Sequence, residues 1–148
     1  MYRQLPGPPG SSALPGRFLA AAGLEVDEVT ATRVAGHIDL GPEHHTPWGV
    51  IHGGVYTTAV ETAASLGASA AVEDQGLVAV GLTNTTHFVR PLTSGRATVT
   101  AISVNQGRTQ QLWQVNIKDD AGRLIAHGEL RLQNVALPER PAVNERIN

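Results

Sequence analysis

The stretch GGVYTTAVETAASLGASAAV, residues 53 to 72, limits the possible folds more than any other part of the chain. It reads as one long helix of roughly 20 residues, hence about 30 Å. Its Gly, Ala, Ser, Thr and Val content leaves it poor in bulk on every face, and glycine and β-branched residues do not favour a helix on propensity alone. A helix of that composition is expected where another layer approaches closely from several sides. Between Val55 and Val72 it carries a single charge, Glu61.

The partner layer follows in the sequence. Leu77 to Val89 reads as one strand, or two with a bend, and Ala97 to Val104, Thr109 to Lys118 and Arg123 to Asn134 read as further strands. Gln111, Trp113, Val115 and Ile117 alternate with Leu112, Gln114, Asn116 and Lys118. Leu124, Ala126, Gly128, Leu130 and Leu132 alternate with Arg123, His127, Glu129 and Arg131. Period-two patterns of this kind mark antiparallel strands with one covered face, and Asn105-Gln106-Gly107 and Asp119-Asp120-Ala121-Gly122 are their hairpin turns. Ahead of the long helix, Gly16 to Ala22 suits a short helix ending at Gly23, Val26 to Val29 and Thr32 to Leu40 form a strand pair, and Pro42 to Trp48 is a loop. The expected architecture is α+β, a curved antiparallel sheet wrapped around one central helix. It occupies a single domain over residues 16–135, between a flexible Pro/Gly/Ser-rich arm at 1–15 and a flexible tail at 136–148.

Composition removes several function classes. The net charge of −2 gives no reason to expect nucleic acid or an anionic membrane as partner. The absence of cysteine removes thiolate nucleophiles, thiolate metal sites and disulfides. Six histidines are present, but His44 and His45 are adjacent and the others scattered, so no metal is expected. Neither a phosphate-binding glycine loop nor a Gly-x-Ser-x-Gly elbow occurs. MYRQLPGPPGSS lacks the apolar core of a signal peptide and no segment has the apolar length of a membrane span, which makes a cytoplasmic protein the expectation.

Most helix glutamates sit in a solvated face. Around Glu61, however, the positions one turn away are Thr57, Thr58, Ala64 and Ser65, not lysines and arginines. A carboxylate withdrawn from water costs several kcal/mol unless partnered, which a structure tolerates mainly where chemistry needs it. Eight positions earlier, Gly53 and Gly54 open the helix, where backbone N–H groups lack intrahelical acceptors and the helix dipole favours negative charge. Two glycines there serve equally well for a tight entry from loop to helix.

Taken in order, Trp48-Gly49-Val50-Ile51-His52-Gly53-Gly54-Val55-Tyr56, Glu61, Val80-Gly81-Leu82, His87-Phe88-Val89-Arg90-Pro91, Gly107-Arg108 and Asp120-Ala121-Gly122-Arg123-Leu124 resemble the acyl-CoA thioesterases of PaaI type. Within that family the chain is similar to 4-hydroxybenzoyl-CoA thioesterases of the Arthrobacter kind and to 1,4-dihydroxy-2-naphthoyl-CoA thioesterases. The resemblance runs over about residues 24 to 134 and implies the hot-dog fold. It also implies hydrolysis of an acyl-CoA thioester, aromatic in these relatives, with coenzyme A as part of the substrate and no separate cofactor. Glu61 then corresponds to the nucleophile or general base, Gly53 to the donor for the developing oxyanion, and Ser65, on the face of Glu61, to the residue that holds the carboxylate or water. His52 has three readings: it orients the loop, donates to the substrate carbonyl, or is structural. Arg90 corresponds to an arginine at the coenzyme A phosphates, and Arg108 with Thr109 lies on the hairpin that meets the nucleotide, the alternative being plain surface arginines at turns.

The family usually places a glutamine where this chain has Thr46, which has a shorter reach. His45 or water then takes over, or activity changes. A protein that binds acyl-CoA without turnover is therefore a second reading, and a hot-dog hydratase or dehydratase a third, although its Asp and His motif is missing. If Gly53 and Glu61 serve one thioester, their eight-residue spacing leaves roughly 12 Å between backbones on one helix. A composite site from two chains is thus expected: a homodimer, which the resemblance extends to a homotetramer built as a dimer of dimers.

Overall fold

The computed structural model of the chain describes residues 16–137. In chain order it has α1 (Arg17–Ala22), β1 (Glu25–Val29), β2 (Arg33–Leu40), a 3₁₀ turn (Pro42–His44), α2 (Gly53–Ala70), a second 3₁₀ turn (Glu73–Gln75), β3 (Leu77–Phe88), β4 (Gly95–Gln106), β5 (Gln110–Lys118) and β6 (Leu124–Ala136). The six strands form one sheet in the order β1-β2-β4-β5-β6-β3, every neighbouring pair antiparallel. The long helix and the strands fall within two residues of their expected bounds, but Asn105 and Gln106, expected in a hairpin turn, belong to β4. The segment after Gly76 is a single strand, bent by a register shift between Gly81 and Thr83. Strand β6 extends to Ala136, one residue into the expected tail. The expected arm at 1–15 and the tail from 138 onward lie outside the described residues.

The alternation in β5 and β6 is the alternation of burial. Gln111, Trp113, Val115 and Ile117 face inward, as do Ala126, Gly128, Leu130 and Leu132. Ile125 is fully buried out of phase with them, next to a register shift at Ile117/Lys118. Against this concave surface α2 lays one face, Tyr56, Ala59, Val60, Ala63, Ala64, Gly67 and Ala68. The close approach predicted from its small residues is real at two points. A side chain at Gly67 would overlap the ring of Trp113, and one at Gly128 would come within 2.7 Å of the Val60 methyls. The other face of α2 carries Gly54, Thr58, Glu61 and Ser65, none of them buried.

One end of the helix is tied down by a buried amide. Gln111 Nε2 donates to the Ala68 carbonyl (2.9 Å) and to Asn134 Oδ1 (2.9 Å), while its Oε1 accepts from Trp113 Nε1 (3.0 Å). Asn134 Nδ2 in turn donates to the carbonyls of Gly107 and Arg108 (3.2 and 3.1 Å), which fixes the β4–β5 hairpin to the same end of the helix. Every polar atom of Gln111 thus has a partner, which is the condition for burying it without loss of stability. At the other end α1 contributes no buried residue. Gly23, in the left-handed conformation, closes it with an N–H bond to the Leu19 carbonyl.

Candidate functional site

The amino terminus of α2 is built by His52. Its backbone is extended, and its Nδ1 accepts from the Gly54 N–H at 2.8 Å, an N-cap bond. The accepting Nδ1 leaves the ring proton on Nε2. Its own N–H donates to the His44 carbonyl (2.8 Å), and the Val55 N–H closes the first turn on the His52 carbonyl (3.0 Å). Of the two glycines, then, Gly54 has its N–H engaged by the cap. Gly53 N–H has no acceptor among the described residues. Phe88, at the end of β3, lies against Gly53 so closely that a Cβ there would sit 2.7 Å from its Cζ. The Phe88 ring is 59% exposed and packs tilted against Tyr56 at 6.3 Å between centroids.

Glu61 is half-buried and faces β3. Asn84 Nδ2 donates to its Oε2 (3.2 Å) and to the Thr57 carbonyl (3.1 Å), and Thr86 Oγ1 donates to Asn84 Oδ1 (2.7 Å). The amide is thereby held from both ends, and its orientation is set. The other carboxylate oxygen, Oε1, occupies the space that a side chain at Gly81 would fill. A notch in β3 and an oriented amide together fix the carboxylate. Ser65 shares the face of Glu61 but makes no hydrogen bond to it in the structure.

The remaining sequence-predicted residues are not all brought to this place. The Thr46 hydroxyl accepts from the Trp48 N–H (3.3 Å), and its backbone exchanges bonds with Val50 and Gly49, so it closes the turn carrying Trp48. His45 Nε2 lies 2.6 Å from the Thr93 carbonyl and anchors the same loop. Arg90 follows β3 at the Gly53 end of α2, its N–H donating to the Ile125 carbonyl (3.2 Å). Arg108 and Thr109 stand at the opposite end, bonded through their carbonyls to Asn134, which is the cross-strand partner of Ala79. From Ala79 to Phe88 is up to about 30 Å of strand, so within one chain Arg90 and Arg108 belong to different regions. One residue of the site escaped the sequence reading, Asn84, and Phe88 stood in the resembling run His87–Pro91 without a role. Asparagine is disfavoured within strands, and its place in the polar run Thr83-Asn84-Thr85-Thr86, midway along a strand packed on a helix, was the available signal.

Among the described residues there is no helix long and apolar enough to cross a membrane, and no group of three or more metal-ligating side chains.

An antiparallel sheet of this topology wrapped around one long helix is the hot-dog fold. Residues 49–126, more than half of the chain, match the thioesterase superfamily (4HBT), and the chain belongs to that superfamily. A Mycobacterium tuberculosis protein named "putative esterase" is 39% identical over 120 residues, which are 80% of this chain and 86% of the relative. Its solved structure superposes with a TM-score of 0.79, covering 82% of this chain and 98% of that one. A thioesterase from Haemophilus influenzae superposes with a TM-score of 0.76 at 30% identity, over 83% of this chain and 85% of that one. The 1,4-dihydroxy-2-naphthoyl-CoA hydrolase of Listeria monocytogenes is 29% identical over 103 residues, 70% of this chain and 83% of the relative.

Proposed function

We propose that the protein hydrolyses acyl-CoA thioesters to the free acid and coenzyme A, with Glu61 as nucleophile or general base. The observation that carries this reading is the fixed carboxylate: Asn84 holds Oε2 while Gly81 leaves room for Oε1. As a base, Glu61 takes a proton from water as the oxygen attacks the thioester carbon. As a nucleophile it forms a mixed anhydride that water then opens. In both routes the carbon–sulfur bond breaks, the thiolate of coenzyme A leaves, and it is protonated. The Gly53 N–H, at the positive end of α2, suits the oxyanion that forms on the carbonyl. The Listeria relative's name supports an aromatic acyl group, and Arg90, Arg108 and Thr109 suit the phosphates and nucleotide.

Two groups separated by roughly 12 Å along one helix do not converge on one carbon. The site is therefore a composite, Gly53 from one protomer and Glu61 from its partner, in a dimer that the family resemblance extends to a tetramer. Strand β3 supports this arrangement: it is a sheet edge over its whole length and exposes Val80 and Leu82, the kind of edge that invites a second copy.

The test is a panel of acyl-CoA substrates with a free-thiol readout, on wild type and Glu61→Gln. The variant keeps the fold and coenzyme A affinity and loses turnover by a factor on the order of 10² to 10⁴. Wild-type-like hydrolysis by Glu61→Gln removes Glu61 from the mechanism. A second reading, binding without turnover, draws on Thr46 and His45 both being engaged in the loop. It is what a wild type that binds acyl-CoA but releases no thiol would mean.

A further inference from the structure

Beside the amino terminus of α2 lies a cavity of about 540 Å³ whose lining includes Phe18, Ala21 and Ala22 of α1, His52 and Gly54 of the helix entry, and Val55. Resting on the hydrolase reading above, we propose that this cavity receives an uncharged, apolar acyl group, and that α1 is the wall that sets which acyl groups fit.

Three observations support the assignment. The first is position. His52 and Gly54, which line the cavity, bracket Gly53, so a thioester whose carbonyl meets the Gly53 N–H lies beside it. The second is the character of α1. None of its residues is buried, and Phe18 is 71% exposed, yet it presents Phe18, Ala21 and Ala22 to the cavity. A six-residue helix with no share in the core is nonetheless held in place. His44, itself buried, accepts from the Gly41 N–H through Nδ1 (3.2 Å) and meets the Ala21 carbonyl through Nε2 (3.1 Å). The third is charge. Glu43 is the one carboxylate in the lining, and it disfavours a second carboxylate on the acyl group. A volume of this size lies within the range of small-molecule sites and exceeds the need of an acetyl group.

The test compares wild type, Ala21→Phe, and Ala20→Phe, which stands on the same helix outside the cavity lining. The substrates are acetyl-, octanoyl-, benzoyl- and glutaryl-CoA. Ala21→Phe lowers kcat/KM for octanoyl- and benzoyl-CoA relative to acetyl-CoA by about tenfold or more, the scale of a steric change in an apolar pocket. Ala20→Phe leaves those ratios unchanged. Glu43→Gln raises the ratio of glutaryl- to octanoyl-CoA several-fold. Unchanged ratios in Ala21→Phe and Glu43→Gln, or equal changes in Ala20→Phe, overturn the proposal while leaving the hydrolase reading intact. If Ala21→Phe does not fold, Phe18→Ala replaces it, and a substrate profile unchanged by loss of that wall has the same meaning. If wild type hydrolyses none of the thioesters, it is the hydrolase reading that fails. The cavity is then judged by calorimetry with the non-hydrolysable thioether S-phenacyl-CoA. Weaker binding by Ala21→Phe at unchanged affinity for coenzyme A keeps the cavity as an acyl site, and equal binding removes it.

Discussion

Gly81→Ala separates the positioning of Glu61 from the stability of the fold. The backbone of Gly81 is not in the left-handed region, so alanine is free of strain there. Loss of glycine's freedom in the unfolded chain favours the variant by about 0.4–1 kcal/mol. The new methyl meets little except Glu61, whose Oε1 stands in its place. To restore an ordinary contact of 3.4 Å the carboxylate has to retreat by about 1 Å, and the 3.2 Å bond from Asn84 to Oε2 is disturbed with it. A displacement of that size at a reacting group costs on the order of 10² in rate, about 2.7 kcal/mol of barrier. The expected result is a variant at least as stable as wild type in urea or by thermal melt, with kcat on the best thioester down about a hundredfold and KM little changed. Stability and turnover thus move in opposite directions. A wild-type kcat would show that Glu61 need not be where Gly81 and Asn84 hold it, and the assignment of its role would fall.

Arg90→Ala raises KM for coenzyme A thioesters by about tenfold, the worth of one charge-assisted bond, and leaves a truncated pantetheine thioester nearly unaffected; equal losses on both would make Arg90 structural. Tyr56 buries a hydroxyl that has no hydrogen-bond partner among the described residues, so Tyr56→Phe leaves stability unchanged or raises it by about 1 kcal/mol in denaturant titration. Burial also pushes the Tyr56 phenol up to about 12, whereas the unfolded chain ionises near 10. The native state therefore holds more protons between those values, and wild-type stability falls as pH rises through that window, a decline that Tyr56→Phe lacks. Mixing Glu61→Gln with Gly53→Val protomers restores about one working site per heterodimer; heterodimers that form but stay inactive refute the composite site.

The fold was legible because its signals are periodic and its elements long. One helix of small residues and strands with period-two burial leave few ways to cover both, and Trp113, Val115, Leu130 and Leu132 face inward as their spacing requires. Where periodicity breaks, reading from sequence fails: Ile125 is buried beside a register shift that no local pattern announces. Within the site, Glu61 stood out because it is alone, and the split between Gly53 and Gly54 did not, because it depends on the rotamer of His52. The role of Thr46 could not be read either, since a threonine that closes a turn and one that faces a substrate look alike in sequence.

Asn84 shows why such partners stay hidden. The bond between Asn84 and Glu61 spans 23 positions and exists only because β3 crosses the exposed face of α2 at one particular register. That register is set by the pairing of β3 with β6. The bend between Gly81 and Thr83 shifts the pairing with β6 by one residue, and a shift of one residue reverses the face on which every later side chain stands. Downstream of the bend, Asn84, Thr86 and Phe88 all point toward the helix, where they meet Glu61, Asn84 itself and Gly53 in turn. Upstream, the Ala79 N–H donates to Ser69 Oγ at 3.1 Å and keeps the helix and strand in step. A single extra residue in β3 thus aligns one edge of the helix with three side chains, and the chemistry proposed for Glu61 depends on that bend as much as on the carboxylate.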